Sequence, residues 1–390
     1  MQYVERPGKG HHYHHLPTGK EIILAILSFV KKNVVLCVAL AAAAISAVFV
    51  PPDAQYLSYF DLKTLSCLFC VLAVVCALKN INFFYILARE IVRTFKNLRT
   101  AVLALVYITF IGSMLIANDM ALLTFLPLGY FVLSTTGNQK YMAFTFIMQN
   151  IAANLGGMLT PFGNPQNLYL YSKFSIPTGE FMMIMLLPFV LSVALITAAC
   201  LVFVRRVPLE VGKDGEKLDP KKAILYGALF VLSIAIVFRG IPYWIGLVII
   251  PLVLLFTDRR ALAEVDYPLL LTFAAFFVFS GNVSRIDAVR SVFEALLSKS
   301  TLIFSTLSCQ LISNVPSAIL LSNFTDNYRE LLVGVNIGGT GTIIASLASL
   351  ITFREYMKHN PHGAGKYMLK FSAFNFGFLL ILLTVMFFVM

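Results

Sequence analysis

The sequence predicts an all-α polytopic membrane protein, an inverted-topology repeat with two re-entrant helical hairpins and two broken transmembrane helices. Three observations carry this. The chain of 390 residues is 59% hydrophobic and only 13% charged, with a mean hydropathy of +0.83, far outside soluble composition. Apolar stretches of helical span length recur along it, and strand alternation is absent, which excludes a barrel. Finally, a polar, glycine- and proline-rich interruption, QNIAANLGGMLTPFGNPQNLYLYS at 149–172, has a shorter echo near the end of the chain.

The apolar stretches fall at 34–50, 62–78, 101–134, 141–172, 181–204, 223–238, 243–257, 268–282, 301–324, 329–353 and 369–390. The net charge of +11 could suggest nucleic acid, but the basic residues sit in the loops between spans, where they set orientation instead. Loop 79–100 carries Lys79, Arg89, Arg93, Lys96 and Arg99 against Glu90. Loops 205–222, 257–267 and 354–370 are also basic, whereas 51–61, 173–180 and 239–242 hold few bases. The two sets alternate if 101–134 and 301–324 each enter and leave on one side. The N-terminus is then cytoplasmic, the C-terminus outside, and the expected location is the plasma membrane as a multi-pass protein.

Each of those two segments reads as two arms of roughly 15 to 17 residues, about 25 Å long and short of a bilayer core. They are expected to be re-entrant hairpins. The first turns at Ala117-Asn118-Asp119 and opens inward; the second turns at Ser313-Asn314-Val315-Pro316 and opens outward. Behind the first comes Asn154-Leu155-Gly156-Gly157 with Thr160, and behind the second Asn336-Ile337-Gly338-Gly339 with Thr342 at the same spacing. The resulting division is a cytoplasmic tail and interfacial segment (1–33), a first repeat half (34–204, hairpin 101–134), a cytoplasmic linker (205–222) and a second half (223–390, hairpin 301–324).

A helix broken inside a membrane is tolerated where its freed backbone groups line a cavity or bind a ligand. Asn164-Pro165 restarts a helix well, and Gly156-Gly157 allows close approach of neighbours. Helices restarting at Asp119, Pro165 and Pro316 would aim positive ends at one centre, which suits an anion, while unwound carbonyls suit a small cation. Against this stands plain helix packing by small residues; the recurrence of the whole cluster in both halves favours function.

The stretches ANDMALLTFLP (117–127), NLGGMLTPFGNPQN (154–167), SNVPSAILL (313–321) and NIGGTGT (336–342) resemble the ion transporter superfamily with its citrate-transporter-like domain. That group includes divalent anion:sodium symporters, arsenite efflux permeases and D-type sodium/proton antiporters. The resemblance spans roughly 34–390. It implies that each hairpin tip and helix break forms one cation half-site around a central substrate. In the first half these are Asn118, Asp119, Asn154, Gly156, Gly157, Thr160, Asn164 and Asn167. In the second they are Ser313, Asn314, Asn336, Gly338, Gly339 and Thr342, with Na⁺ expected at Asn118, Asp119, Ser313 and Asn314. The dicarboxylate symporters resemble a Ser-Asn-Thr triplet at both tips. This chain has Ala-Asn-Asp and Ser-Asn-Val, closer to the arsenite and sodium/proton branches.

Asp119 is a carboxylate placed inside a buried repeat, and an intramembrane acid is a functional candidate by default; its bland alternative is a helix cap worth about 1 kcal/mol. The histidines lie outside the spans, four of them in the tail sequence HHYHH, read as solvated rather than metal-binding. Cys67, Cys70 and Cys76 lie within an apolar run and read as small core residues. In 79–100, Phe84, Leu87, Ile91, Phe95 and Leu98 fall on one helical face and Arg89, Arg93 and Lys96 on another, so this segment reads as an interfacial amphipathic helix, with 283–300 as its outward partner. An intramembrane hydrolase would need a deep nucleophile and base, and a channel has no need of two opposed half-sites. The expected function is therefore not enzymatic. It is ion-coupled secondary active transport of a small anion, a citrate-like carboxylate or an inorganic oxyanion, by symport or antiport. The alternative is a sodium/proton antiporter or arsenite-type efflux permease. No cofactor is implied beyond the coupling ion, Na⁺ or H⁺. The partners are the anion, that ion and the bilayer, with no nucleic acid, and the sequence admits a homodimer.

Overall fold

The computed structural model describes residues 27–210 and 217–390. The HHYHH tail, most of segment 1–33 and residues 211–216 of the linker lie outside them. Among the described residues the regular structure is helical, apart from a single antiparallel bridge between Asn97 and Pro208. Six stretches there are long and apolar enough to cross a membrane: Leu62–Asn80, Leu98–Ile116, Thr178–Phe203, Pro220–Val237, Arg259–Val283 and Ala364–Val389.

The first half runs α1 (Val34–Phe49), α2 (Leu62–Asn80), α3 (Phe83–Arg93), the hairpin α4 (Leu98–Ile116) and α5 (Asn118–Thr135), the broken pair α6 (Met142–Gly156) and α7 (Pro165–Lys173), then α8 (Thr178–Phe203). The second half runs α9 (Pro220–Val237), α10 (Tyr243–Thr257), the short α11 (Arg259–Ala263), α12 (Tyr267–Val283), α13 (Asp287–Lys299), the hairpin α14 (Thr301–Ile312) and α15 (Asn314–Leu321), the broken pair α16 (Tyr328–Ile337) and α17 (Leu347–His359), then α18 (Ala364–Val389). From α2 and α12 onward the two series match element for element. Both α2 and α12 start on an aspartate cap: Asp61 accepts from the Thr64 amide at 2.9 Å and Asp266 from the Leu269 amide at 3.0 Å. Each such cap satisfies one of the orphan donors of a helix start.

Packing separates an inner set of helices from an outer one. The most apolar part of α2 is 67% buried, against 22% for α8 and 28% for α18, whose remaining apolar surface faces outward as a lipid-contacting helix requires. α1 lies along α12, where Asn282 donates to Ser46 Oγ at 3.1 Å and to Tyr56 Oη at 2.7 Å. The Tyr59 ring closes over Gly281, where any β-carbon would come within 2.5 Å of it.

Contacts between loops sort them onto two opposite faces. On one, the Leu98 and Leu209 amides donate to the Val207 and Lys96 carbonyls at 2.8 and 2.9 Å, Asn80 donates to Asp258 at 3.0 Å, and the His359 ring stacks on Tyr130. On the other, Arg285 pairs with Asp53 at 2.6 Å and Arg329 with Glu180 at 2.6 Å, while Arg239 donates to the Tyr171 and Ile176 carbonyls. The 26-residue α8, about 39 Å long, joins the two faces. The basic loops expected on one side thus share one face.

Two local expectations change. The segment assigned to loop 354–370 begins as helix, because α17 runs on to His359. In α3 the buried face is Phe84, Ile86, Ala88, Arg89 and Val92, while Leu87 and Ile91 point outward. The Arg89 guanidinium, turned inward, donates to Glu90 at 3.2 Å.

Candidate functional site

Both hairpins turn on one residue with the same rare backbone. Ala117 has φ 67 and ψ 155, and Ser313 has φ 76 and ψ 161. This region belongs almost wholly to glycine and costs a side-chain-bearing residue about 1–3 kcal/mol, a strain that persists only where the surroundings fix it. The next residue is an asparagine whose Oδ1 accepts the following amide: Asp119 to Asn118 at 2.9 Å, Val315 to Asn314 at 2.9 Å. The equivalence extends into the helix breaks. Thr160 donates to the Met114 carbonyl at 2.8 Å, and Thr342 to the Gln310 carbonyl at 3.1 Å; each acceptor lies three residues before its tip.

The glycines of the two Asn-x-Gly-Gly motifs serve close approach rather than a special φ. A β-carbon at Gly156 would lie 2.2 Å from the Phe110 carbonyl oxygen of α4, and one at Gly338 would lie 2.9 Å from Cys309 Sγ of α14. One at Gly157 would lie 2.4 Å from Asn164 Oδ1, and one at Gly339 3.1 Å from Asn314 Nδ2. Absent side chains let each broken helix press onto its own hairpin.

The asparagines do something different, joining the halves. Asn164 and Ser346 are equivalent residues, each four beyond its threonine and each the cap of a restarted helix. Ser346 donates to Asn154 Oδ1 at 2.7 Å, and Asn164 donates to Asn336 Oδ1 at 3.3 Å. Each motif asparagine therefore reaches the helix start of the opposite half, the reciprocal pairing expected of a two-fold contact. Asn154 also accepts from Asn118 at 3.3 Å, and Asn336 donates to Asn167 Oδ1 at 2.6 Å. These asparagines are all buried, so losing a partner would strand a polar group.

The freed backbone of each break is held by side-chain amides. Asn167 Nδ2 donates to the Gly157 and Met158 carbonyls at 3.2 and 3.3 Å, and Gln310 Nε2 to the Gly338 and Thr340 carbonyls at 2.8 and 3.1 Å. The Asn314 amide donates to the Ala345 carbonyl at 2.9 Å. Helix starts at Asn118, Asn314, Pro165 and Leu347 consequently meet near the middle of the molecule: four positive ends where the sequence suggested three. Beside them lies a cavity of about 90 Å³ whose lining includes Asn118, Asp119, Pro165 and Leu347.

All the residues singled out in the sequence lie at these tips and breaks. Asn118 and Asn154 meet through their side chains, and the Asp119 amide is held by Asn118 Oδ1. Gly156 and Thr160 contact the first arm of the hairpin instead of its tip, at Phe110 and Met114, and Thr342 does the same at Gln310. At the position after the tip asparagine the halves differ in charge: Asp119 is matched by Val315. Asp119 Oδ1 is buried and unpartnered among the described residues, as are Asn164 Oδ1 and Gln166 Oε1. Gln310, Gln166 and Ser346 were not anticipated. A glutamine inside an apolar run is itself a signal that could have found Gln310.

Residues 22–328 match the model of the citrate transporter family. The chain is 33% identical over 298 residues to the uncharacterized transporter MJ0456 of Methanocaldococcus jannaschii, covering 75% of this chain and 80% of that one. It is 28% identical over 278 residues to the inner membrane protein YbiR of Escherichia coli strain K12, covering 70% and 74%. With its helical membrane architecture, repeated hairpins and helix breaks, the chain belongs to the citrate transporter family and is a membrane transporter.

Proposed function

We propose that the protein is an ion-coupled secondary active transporter carrying a small anion, a citrate-like carboxylate or an inorganic oxyanion, at the meeting point of the two repeats. The observation that carries this is the convergence of four helix starts, at Asn118, Pro165, Asn314 and Leu347, on two hairpins and two broken helices of opposite sense. Each helix start holds roughly half a positive charge, and inverted-repeat transporters use such ends to hold anionic groups at the midplane. The hairpins are re-entrant, the basic face is cytoplasmic, and the plasma membrane is the site of action.

Asp119 supplies the coupling. An ionised carboxylate at this centre repels an incoming anion, and the repulsion is strong where water is scarce. A proton or Na⁺ bound at Asp119, with Asn118 alongside, removes it. Cation and anion then favour each other's binding, the requirement for symport. The second half, with Val315 at the matching position, offers only amide, hydroxyl and carbonyl oxygens at Ser313 and Asn314. Because Ala117-Asn118-Asp119 also resembles the sodium/proton and arsenite branches, those exchange activities are the alternative reading.

Purified protein in vesicles, offered citrate, succinate, sulfate, arsenite and Na⁺ separately with and without imposed Na⁺ and proton gradients, tests both. Gradient-dependent uptake of an anion supports the proposal. Cation exchange with no anion flux would replace it with the antiporter reading.

A further inference from the structure

The cavity beside the first hairpin tip is lined almost entirely by apolar side chains, among them Leu68 and Leu72 of α2, Phe162 in the first break and Leu347 of α17. Its polar lining residues are Asn118, Asp119 and Asp266. At about 90 Å³ it has room for about three water molecules. Asp119 is half-buried, with Oδ1 shielded and unpartnered among the described residues; Asp266 is exposed, at the end of the loop on the basic face. One carboxylate thus stands at the tip of the hairpin and another at the surface, with a short water-sized space between them.

We propose that Asp266 is the entry carboxylate of this space, drawing the coupling cation, a proton or Na⁺, from the basic face toward Asp119. The proposal rests on reading Asp119 as the coupling group. A helix cap alone does not account for the arrangement: the cap uses Asp266 Oδ1, and an asparagine caps equally well without a charge. Nor is the surrounding charge favourable to cations by default. That face carries Lys79, Arg89, Arg259 and Arg260 beside the acids Glu90, Asp258 and Glu264, of which Glu90 pairs with Arg89 and Glu264 with Arg260, and the charge of Lys32 reaches Asp266. A carboxylate at the cavity mouth offsets this locally. The repeat supplies a counterpart, Asp61, at the matching cap of α2, near Tyr169 and Lys173 of α7 at the other face.

The test needs no knowledge of the substrate. In the full-length protein, Met120→Cys places a thiol in the cavity lining; its rates of modification by cationic 2-aminoethyl methanethiosulfonate and neutral methyl methanethiosulfonate are compared at low salt, after subtracting reaction of the native cysteines. Their ratio reads the local potential. Adding Asp266→Asn should lower the ratio about twofold or more, as expected on removing one unit charge from the lining of the same small cavity. Asp258→Asn, a capping aspartate on the same face that does not line the cavity, should leave it unchanged. An unchanged ratio in Asp266→Asn, or an equal fall in Asp258→Asn, overturns the proposal. In gradient-driven citrate uptake, Asp266→Asn should raise the half-saturating concentration of the driving cation while sparing the maximal rate. A lowered maximal rate at unchanged cation affinity also overturns it. If the parent protein does not move citrate, the transport reading fails for that anion while the thiol ratio still decides the role of Asp266.

Discussion

Among the described glycines, Gly156 is the one whose added β-carbon would come nearest to a backbone atom. Its β-carbon would lie 2.2 Å from the Phe110 carbonyl oxygen and 2.6 Å from Ser113 Oγ, where ordinary contact starts at 3.4 Å. The obstacle is the backbone of α4, so relief requires α6 and α4 to part by roughly 1 Å, which also stretches the bond from Thr160 to the Met114 carbonyl. Overpacking of this kind costs about 1–3 kcal/mol, and contact with a backbone atom belongs at the top of that range. Gly377→Ala in α18 meets nothing within 4 Å and should stabilise by about 0.5–1 kcal/mol through helix propensity alone. Gly339→Ala is intermediate: it touches Asn314 Nδ2 at 3.1 Å, so a few tenths of an ångström at the second tip suffices. The assay is apparent melting in detergent beside uptake in vesicles. Gly156→Ala should melt about 3–4 °C below the parent, Gly377→Ala at or above it, and Gly339→Ala near it but with slowed transport. Equal melting of Gly156→Ala and Gly377→Ala would refute the close approach of α6 to α4.

Further expectations concern the crossing, the faces and an ion pair. Asn154→Ala strands Ser346 and Asn118, and Asn336→Ala strands Asn167; each should cost about 1–3 kcal/mol and cut coupled transport well beyond the loss of folded protein, and normal transport by both would leave the crossing purely architectural. Cysteines at Lys96 and Ser175 should label from opposite sides, the first from the cytoplasm; labelling from the same side contradicts the assignment of faces. The Arg285 guanidinium beside Asp53 holds its carboxyl below the usual carboxylate range. A depressed folded-state value contributes stability that is complete above the ordinary value of 3.8 and is lost as pH falls through the lower one. Melting measured down to pH 3 should therefore show less acid sensitivity in Asp53→Asn than in the parent, and identical profiles would remove the pair from the account.

Much of the fold was readable because membrane helices leave strong local signals. The hairpin turns fell where Ala117-Asn118-Asp119 and Ser313-Asn314 interrupt apolar runs, and Asn164-Pro165 marked a helix start by cap chemistry alone. The start at Leu347 was hidden, since Ser346 is a less conspicuous cap in a stretch of small residues and no proline follows. The crossing of Asn154 to Ser346 and Asn336 to Asn164 joins residues 192 and 172 positions apart, a relation that local pattern cannot carry. The family resemblance implied that Thr160 would join the tip in one half-site; it bonds instead to Met114, because α6 packs along the arm of the hairpin. Charge placed Arg89 on the outer face of the helical wheel, whereas the folded chain buries it.

The central claim is that Asp119 couples cation to anion, and the variant that tests it most directly is Asp119→Asn. Asp119 lies inside α5, whose cap position is Ala117, and its side chain makes no cap bond, so Asp119→Asn keeps the side-chain shape and removes the charge, while Asp119→Ala removes the side-chain oxygens as well. Both variants and the parent are reconstituted in matched vesicles, and gradient-driven anion uptake is measured from external pH 5.5 to 8.5. The account predicts that Asp119→Asn stays folded and monodisperse while driven uptake collapses and residual flux loses its pH dependence. Parent-like rates and an unchanged pH profile in Asp119→Asn would contradict it and leave Asp119 without a role in coupling.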